Sequence, residues 1–304
     1  MKKIPVGTGL SSAPIALGCM RMAGMEEKKA ESLVQTALEK GIDLFDHADI
    51  YGGGESELLF GRILKRNPGM REKMLLQGKC GICKGYYDAS AEHIQRAAEG
   101  ILQRLGVSRL DLLLLHRPDA LMEPEEVAEA FTALQKSGKV RFFGVSNQNA
   151  AQMQLLDRYL PGGLMVNQLQ FGLAHTGPVD AGINVNTLNE QAVMRDGSIL
   201  DYCRLHDITI QAWSPFQYGW FEGAFLNSDK YAALNGQIRR MAAEKGVTDT
   251  AVAVAWIMRH PAQMQTIVGT MNESRLSDIC KAAEITLSRP EWYALYQAAG
   301  NPLP

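Results

Sequence analysis

Nowhere in this sequence does an apolar run approach the roughly 20 residues that a membrane helix needs, so no helical anchor is expected. The opening Met1-Lys-Lys-Ile-Pro-Val carries charge but no apolar core after it, so a signal peptide is not expected and the chain reads as cytoplasmic. Cysteine is scarce: Cys19, Cys80, Cys83, Cys203 and Cys280 are an odd, scattered set, which argues against a disulfide framework. Cys80-Gly-Ile-Cys83 has redox or zinc-ligand spacing, but no second cysteine pair completes a structural zinc site. The plain reading is two reduced thiols in a loop; the alternative is an oxidisable pair able to perturb Lys79. The six histidines lack metal-ligand spacing, so no metal is expected. Neither charge sign dominates, with 31 Lys and Arg against 33 Asp and Glu, so nucleic acid and membrane surfaces are not expected partners. Three nucleotide or nucleophile signatures are missing as well. Gly7-Thr-Gly9 begins like a dinucleotide fingerprint without the third small residue, and reads better as a turn in an N-terminal hairpin. Gly52-Gly-Gly54 lacks the Lys-Ser/Thr ending of a phosphate loop, and there is no Gly-x-Ser-x-Gly elbow.

What the chain does have is alternation. Strand-like apolar runs fall at 15–19, 44–46, 74–78, 110–115, 140–145, 164–168, 209–213 and 265–268. Helical patterns lie between them at 26–40, 55–66, 90–105, 124–137, 150–158, 198–206, 231–245 with 249–259, and 273–283. The run 110–115 is continuously apolar, as in a strand buried on both faces of a parallel sheet. Gly41, Gly106 and Gly138 fit helix C-termini, Ser90 fits an N-cap, and Pro124 fits a first helical turn. Eight strand–helix units are the count of a (β/α)8 barrel, although a doubly wound sheet alternates in the same way. No composition break marks a boundary, so residues 1–304 are read as one domain with an N-terminal hairpin and an extra C-terminal helix at 291–298. Segments 169–197 and 214–230 are long, follow strands, and in a barrel would sit at the active-site mouth.

Four polar residues stand at or just after strand ends: Asp46, Tyr51, Lys79 and His116. Together they are the parts of a proton donor. A lysine cation can lower a tyrosine from its usual value of about 10, and an aspartate can hold the lysine. A tyrosine tuned this way can protonate a carbonyl oxygen near neutral pH. Singly, each has an ordinary explanation, but a lysine directly after a buried strand is costly unless paired.

Stretches around these residues resemble the aldo-keto reductases, in order and spacing, along nearly the whole chain. They are Gly41-Ile-Asp-Leu-Phe-Asp46-His-Ala-Asp-Ile-Tyr51-Gly with Glu-Ser-Glu-Leu-Leu-Phe-Gly, Leu-Asp111-Leu-Leu-Leu-Leu-His116-Arg-Pro-Asp, and Lys139-Val-Arg-Phe-Phe-Gly144-Val-Ser146-Asn147. Asn167-Gln168 and Ala212-Trp213-Ser-Pro215 continue the match, and the wording around His47 is most similar to a bacterial oxidoreductase subgroup. The resemblance implies an NADP(H)-binding barrel with Tyr51 as general acid, Lys79 lowering its pKa, Asp46 pairing with Lys79, and His116 orienting the carbonyl. It also implies that Ser146, Asn147 and Gln168 hold the nicotinamide carboxamide, that Trp213 stacks on the ring, and that Ser214 approaches the pyrophosphate. The stretch Gly269-Thr270 through Arg275 and Asp278 would hold the adenosine 2′-phosphate, with Arg275 gripping it. The chain departs from many members in lacking a lysine near Gly269 and in carrying His47 where Thr or Ser is common.

The expected function is NADP(H)-dependent reduction of small aldehydes or ketones by a monomer or weak homo-oligomer. The alternative is a nicotinamide-nucleotide-binding sensor or accessory protein with negligible turnover. Phe216, Tyr218, Trp220 and Phe221 either line a substrate pocket or pack the long loop.

Overall fold

The structure is a computed structural model describing residues 1–184, 190, 198–219 and 222–301. Its strands in chain order are β1 (Ile4–Val6), β2 (Leu10–Ser12), β3 (Ile15–Gly18), β4 (Leu44–Asp46), β5 (Leu75–Cys80), β6 (Ile82–Cys83) and β7 (Tyr86–Tyr87). They continue as β8 (Leu110–Leu115), β9 (Val140–Ser146), β10 (Val166–Gln170), β11 (Thr209–Trp213), β12 (Gln217–Tyr218), β13 (Gly223–Ala224) and β14 (Gln265–Val268). Eight of these close a parallel barrel in the order β3-β4-β5-β8-β9-β10-β11-β14. The alternation of the sequence is therefore that of a barrel and not of an open sheet.

Period-two alternation decides what each strand turns inward. In β5, Cys80 belongs to the outer core, and a Cβ at Gly78 would meet Ile101 of the surrounding helix layer. Gln77 and Lys79, on the other parity, face the barrel interior and are fully buried. In β8, Leu112 and Leu114 fill the lower barrel, whereas Leu113 and Leu115 pack outward. The lower interior is a small apolar plug of Ala16, Leu44, Leu112, Leu114, Val166 and Ile267, closed from below by Val6 and Leu10 of the β1–β2 hairpin. The Gly7-Thr-Gly9 segment is the turn of that hairpin.

Helices cover the outside. Ala91–Leu105 starts at Ser90, whose hydroxyl accepts from the His93 N–H, and ends at Gly106 in the left-handed conformation. Pro124 stands in the first turn of Pro124–Lys136. The C-terminal helix is Arg289–Ala298. The long segment after β10 contains a helix at Gly177–Ile183. Trp220 and Phe221 lie outside the described residues. Phe216 and Tyr218 pack against the main core, and Tyr218 lies against Tyr231 at 5.2 Å. Among the described residues, no helix is long and apolar enough to cross a membrane.

Candidate active site

Beneath the barrel mouth, the interior changes from aliphatic to polar. Gln77, Gln168, Gln211 and Gln265 form a buried ladder across four strands. Gln211 Oε1 accepts from Gln77 at 2.7 Å and from Gln168 at 3.1 Å, and its amide donates to Gln265 Oε1 at 2.7 Å. Gln265 in turn donates to Ser12 Oγ and to the Ala13 carbonyl. Carboxamides suit this position because each is both donor and acceptor and carries no charge to desolvate. Sequence reading missed Gln77, Gln211 and Gln265; the available signal was a glutamine inside an otherwise apolar strand.

The ladder converges on Asp46 at the end of β4. Its Oδ1 accepts from Lys79 Nζ at 2.6 Å, Gln77 at 2.7 Å and Gln168 at 3.2 Å. Lys79 also donates to the His47 carbonyl at 2.9 Å. Burial alone would lower the Lys79 value, but the Asp46 charge and the Tyr51 hydroxyl together raise it, so the ammonium is kept. The cation is the buried, paired lysine that the strand-end position required.

Tyr51 follows β4 on a short 3-10 turn, Tyr51–Gly54. Gly52, Gly53 and Gly54 all have positive φ, the region glycine enters without strain, and they turn the chain from Tyr51 into the helix Glu55–Arg66. Lys79 Nζ sits 4.9 Å from the Tyr51 ring centre. Burial pushes the Tyr51 phenol up to about 12, against the charge and hydrogen bond of Lys79, which pull it down. Lys79 thus pulls the phenol down in the expected direction, but desolvation of a phenolate outweighs one nearby cation and the net shift is upward.

His116 follows β8 and meets Tyr51 edge-on, with ring centres 6.0 Å apart. Burial first, then the Lys79 and Arg117 charges, holds it well below the usual histidine range, so the ring is neutral. Nδ1 is buried without a hydrogen-bond partner among the described residues. His47 is fully buried and packed edge-on against Phe60 at 4.6 Å, with its pKa lowered to about 3 by burial and the Lys79 charge. Its ring contributes packing, and its backbone carbonyl supports Lys79.

Across the mouth, Asn147 donates to Ser146 Oγ at 2.8 Å and accepts from Trp213 Nε1 at 3.3 Å. Ser146 Oγ donates to the Gln168 carbonyl. The half-buried Trp213 indole has the Arg117 guanidinium 5.7 Å from its ring. Asn147 and Ser214 both have positive φ, so the chain bends sharply where β9 and β11 end. The side-chain amide of Gln168 is engaged by Asp46 and Gln211 within the ladder.

Gly269 and Thr270 follow β14 and lead into the helix Glu273–Cys280, capped by Asn272 on the Arg275 N–H. Arg275 is exposed in the first turn. Asp278 pairs with Lys281 at 3.0 Å one turn on. The structure thus brings Asp46, Tyr51, Lys79 and His116 together on one side of the mouth, and links Ser146, Asn147 and Trp213 on another.

The family model described as the aldo/keto reductase family matches residues 14–299. The chain is 35% identical to the uncharacterized oxidoreductase YcsN of Bacillus subtilis, over 98% of each chain. It is 33% identical to a 6-dehydroglucose reductase of Agrobacterium fabrum, again over 98% of each. A crystal structure of an aldo/keto reductase from Klebsiella pneumoniae, in complex with NADP and acetate, is similar at a TM-score of 0.79 and 26% identity. That likeness covers 99% of this chain and 96% of the other.

Proposed function

From the premise that the chain belongs to the aldo/keto reductase family, we propose that it reduces aldehyde or ketone carbonyls to alcohols with NADP(H), using Tyr51 as general acid. Residues 1–304 act as one barrel domain in this reading. The observation that carries it is the buried Lys79 ammonium, held by Asp46 and directed at Tyr51 beside a neutral His116.

The mouth suits the cofactor. An aromatic face at Trp213, the linked Ser146 and Asn147 polar groups, and an exposed arginine at a helix start match a ring, a carboxamide and a phosphate. Ser146, Asn147 and Trp213 would hold the nicotinamide end, Ser214 the pyrophosphate, and Gly269, Thr270, Arg275 and Asp278 the adenosine end. Gln168 would act on the carboxamide through its oxygen, since its amide is shared with Asp46 and Gln211. Bound NADPH supplies the hydride that the carbonyl carbon accepts.

The chain supplies the proton. As negative charge develops on the carbonyl oxygen, Tyr51 gives up its phenolic hydrogen. A phenol near 12 still protonates an alkoxide, which is the stronger base. The tyrosinate left behind is stabilised by Lys79, whose charge Asp46 keeps in place. Neutral His116 offers an N–H rather than a competing cation, which orients the carbonyl without protonating it.

The test is NADPH consumption with a reactive aromatic aldehyde and with 6-dehydroglucose, the substrate in a relative's name, comparing wild type with Tyr51→Phe. The expected result is a loss of roughly 10²–10⁴-fold in turnover with NADPH binding retained. Equal turnover by both proteins would remove Tyr51 from the role of acid.

A further inference from the structure

Cys83, Asp88 and His93 converge at the side of the mouth, although their spacing along the chain carries no metal-ligand pattern. Cys83 lies on the β6–β7 hairpin, Asp88 directly after it, and His93 in the first turn of Ala91–Leu105. Their donor atoms all lie within 4.8 Å of one another. Cys83 Sγ is 3.9 Å from His93 Nδ1, and Asp88 Oδ2 is 3.7 Å from the same nitrogen. Tetrahedral zinc, with bonds of about 2.0–2.3 Å, spaces neighbouring donors roughly 3.3–3.8 Å apart, so these two pairs need move only a few tenths of an ångström to close around an ion.

The backbone already holds these donors in place. β6 and β7 pair in register, and Asp88 N–H donates to the Gly81 carbonyl at 3.0 Å. Asp88 Oδ1 accepts from the Ser90 N–H at 3.0 Å, leaving Oδ2 turned to the histidine. Ser90 caps the helix through the His93 N–H. Arg96 Nη2 lies 3.3 Å from His93 Nδ1. A guanidinium only donates, so this contact is compatible with the tautomer that carries its lone pair on Nδ1, the one that Nδ1 ligation requires. Nε2 is buried with no hydrogen-bond partner among the described residues. The Arg96 side chain is 65% exposed and reaches Glu92 as well, so it can leave Nδ1 to an ion. Cys80 takes no part: it points to the Leu114 carbonyl from within the barrel wall.

We propose that Cys83, Asp88 and His93 form a transition-metal site for a divalent ion of the zinc type, with a fourth position open to water. Sulfur, imidazole and carboxylate donors together select this class over calcium or magnesium, which want oxygen alone. The bound ion ties the β6–β7 hairpin to the start of Ala91–Leu105. That hairpin follows directly on β5, whose Lys79 stands behind the mouth. The ion therefore stiffens one wall of the substrate mouth without touching the proton donor.

The test uses metal-free, reduced full-length protein without a histidine tag, titrated with cobalt(II). The expected result is a thiolate-to-cobalt charge-transfer band that saturates at one equivalent and is displaced by zinc. Cys83→Ser should abolish the band, and His93→Ala and Asp88→Asn should weaken binding at least tenfold, each with unchanged near-ultraviolet circular dichroism. Arg96→Ala should tighten binding several-fold by removing the competing cation. No band at one equivalent, or a band that survives in folded Cys83→Ser, would overturn the site. These readouts do not depend on which substrate the barrel reduces.

Discussion

Lys79 Nζ and Asp46 Oδ1 meet at 2.6 Å in an interior where both side chains are at most 2% exposed. The energetic weight of such a buried ion pair shows when one partner is removed and the other is left as an uncompensated charge. Asp46→Asn keeps the shape and deletes the charge. It is expected to cost about 3–5 kcal/mol of folding stability, read from the urea midpoint at neutral pH. A cost below about 1 kcal/mol would mean that the ladder amides and the His47 carbonyl alone satisfy the ammonium.

With Tyr51 as the proposed general acid, its high value sets the pH dependence expected for reduction. The acid form is the one needed, and burial keeps Tyr51 protonated up to about 12. The profile of kcat/KM for carbonyl reduction is therefore expected to show no Tyr51-linked fall up to about pH 9, since that parameter reports the free enzyme. Alcohol oxidation needs the tyrosinate, and its rate should climb with pH over the same range. A reduction limb near neutral pH that disappears in Tyr51→Phe would contradict this.

Asp49 gives stability a different pH dependence. Burial first, then the Glu57 charge, pushes its carboxyl up to about 6 from the usual value of 3.8, while Arg104 pulls the other way. The folded state thus holds this proton more tightly than the unfolded chain. The stability it contributes is present below about pH 4 and is lost as pH rises to about 6. Asp49→Asn removes the cost of charging the group, so its gain over wild type should be larger at pH 8 than at pH 5, by about 1 kcal/mol. Paired urea titrations at the two pH values check it, and an equal gain at both would refute the raised value.

Gln211 is the junction of the ladder, accepting from Gln77 and Gln168 and donating to Gln265. Gln211→Leu strands three buried carboxamides at once. The expected cost is about 2–4 kcal/mol, from desolvated polar groups left unpaired. Thermal unfolding reads it directly. A neutral result would show that the three remaining amides repair themselves around an apolar side chain.

Local sequence was enough to locate the barrel strands and the polar residues at or just after their ends. Strands 44–46, 110–115, 209–213 and 265–268 fall where the apolar runs placed them, because burial on both faces of a parallel strand is a local property of composition. Asp46, Tyr51, Lys79 and His116 were legible for the same reason, as polar residues at the ends of such runs. Barrel closure, and not an open sheet, was decided only in three dimensions, when β14 paired with β3. So was the Tyr51 acidity, which depends on how much water the folded mouth excludes, a quantity no neighbouring residue encodes. The glutamine ladder and the grouping of Cys83 with His93 likewise needed the fold. Gln77 meets Gln211 across 134 residues, and the hairpin must turn back on the Ala91–Leu105 helix before a thiol reaches an imidazole. Patterns of burial are written locally; the partners of buried polar groups are set by which strands and turns the closed barrel brings together.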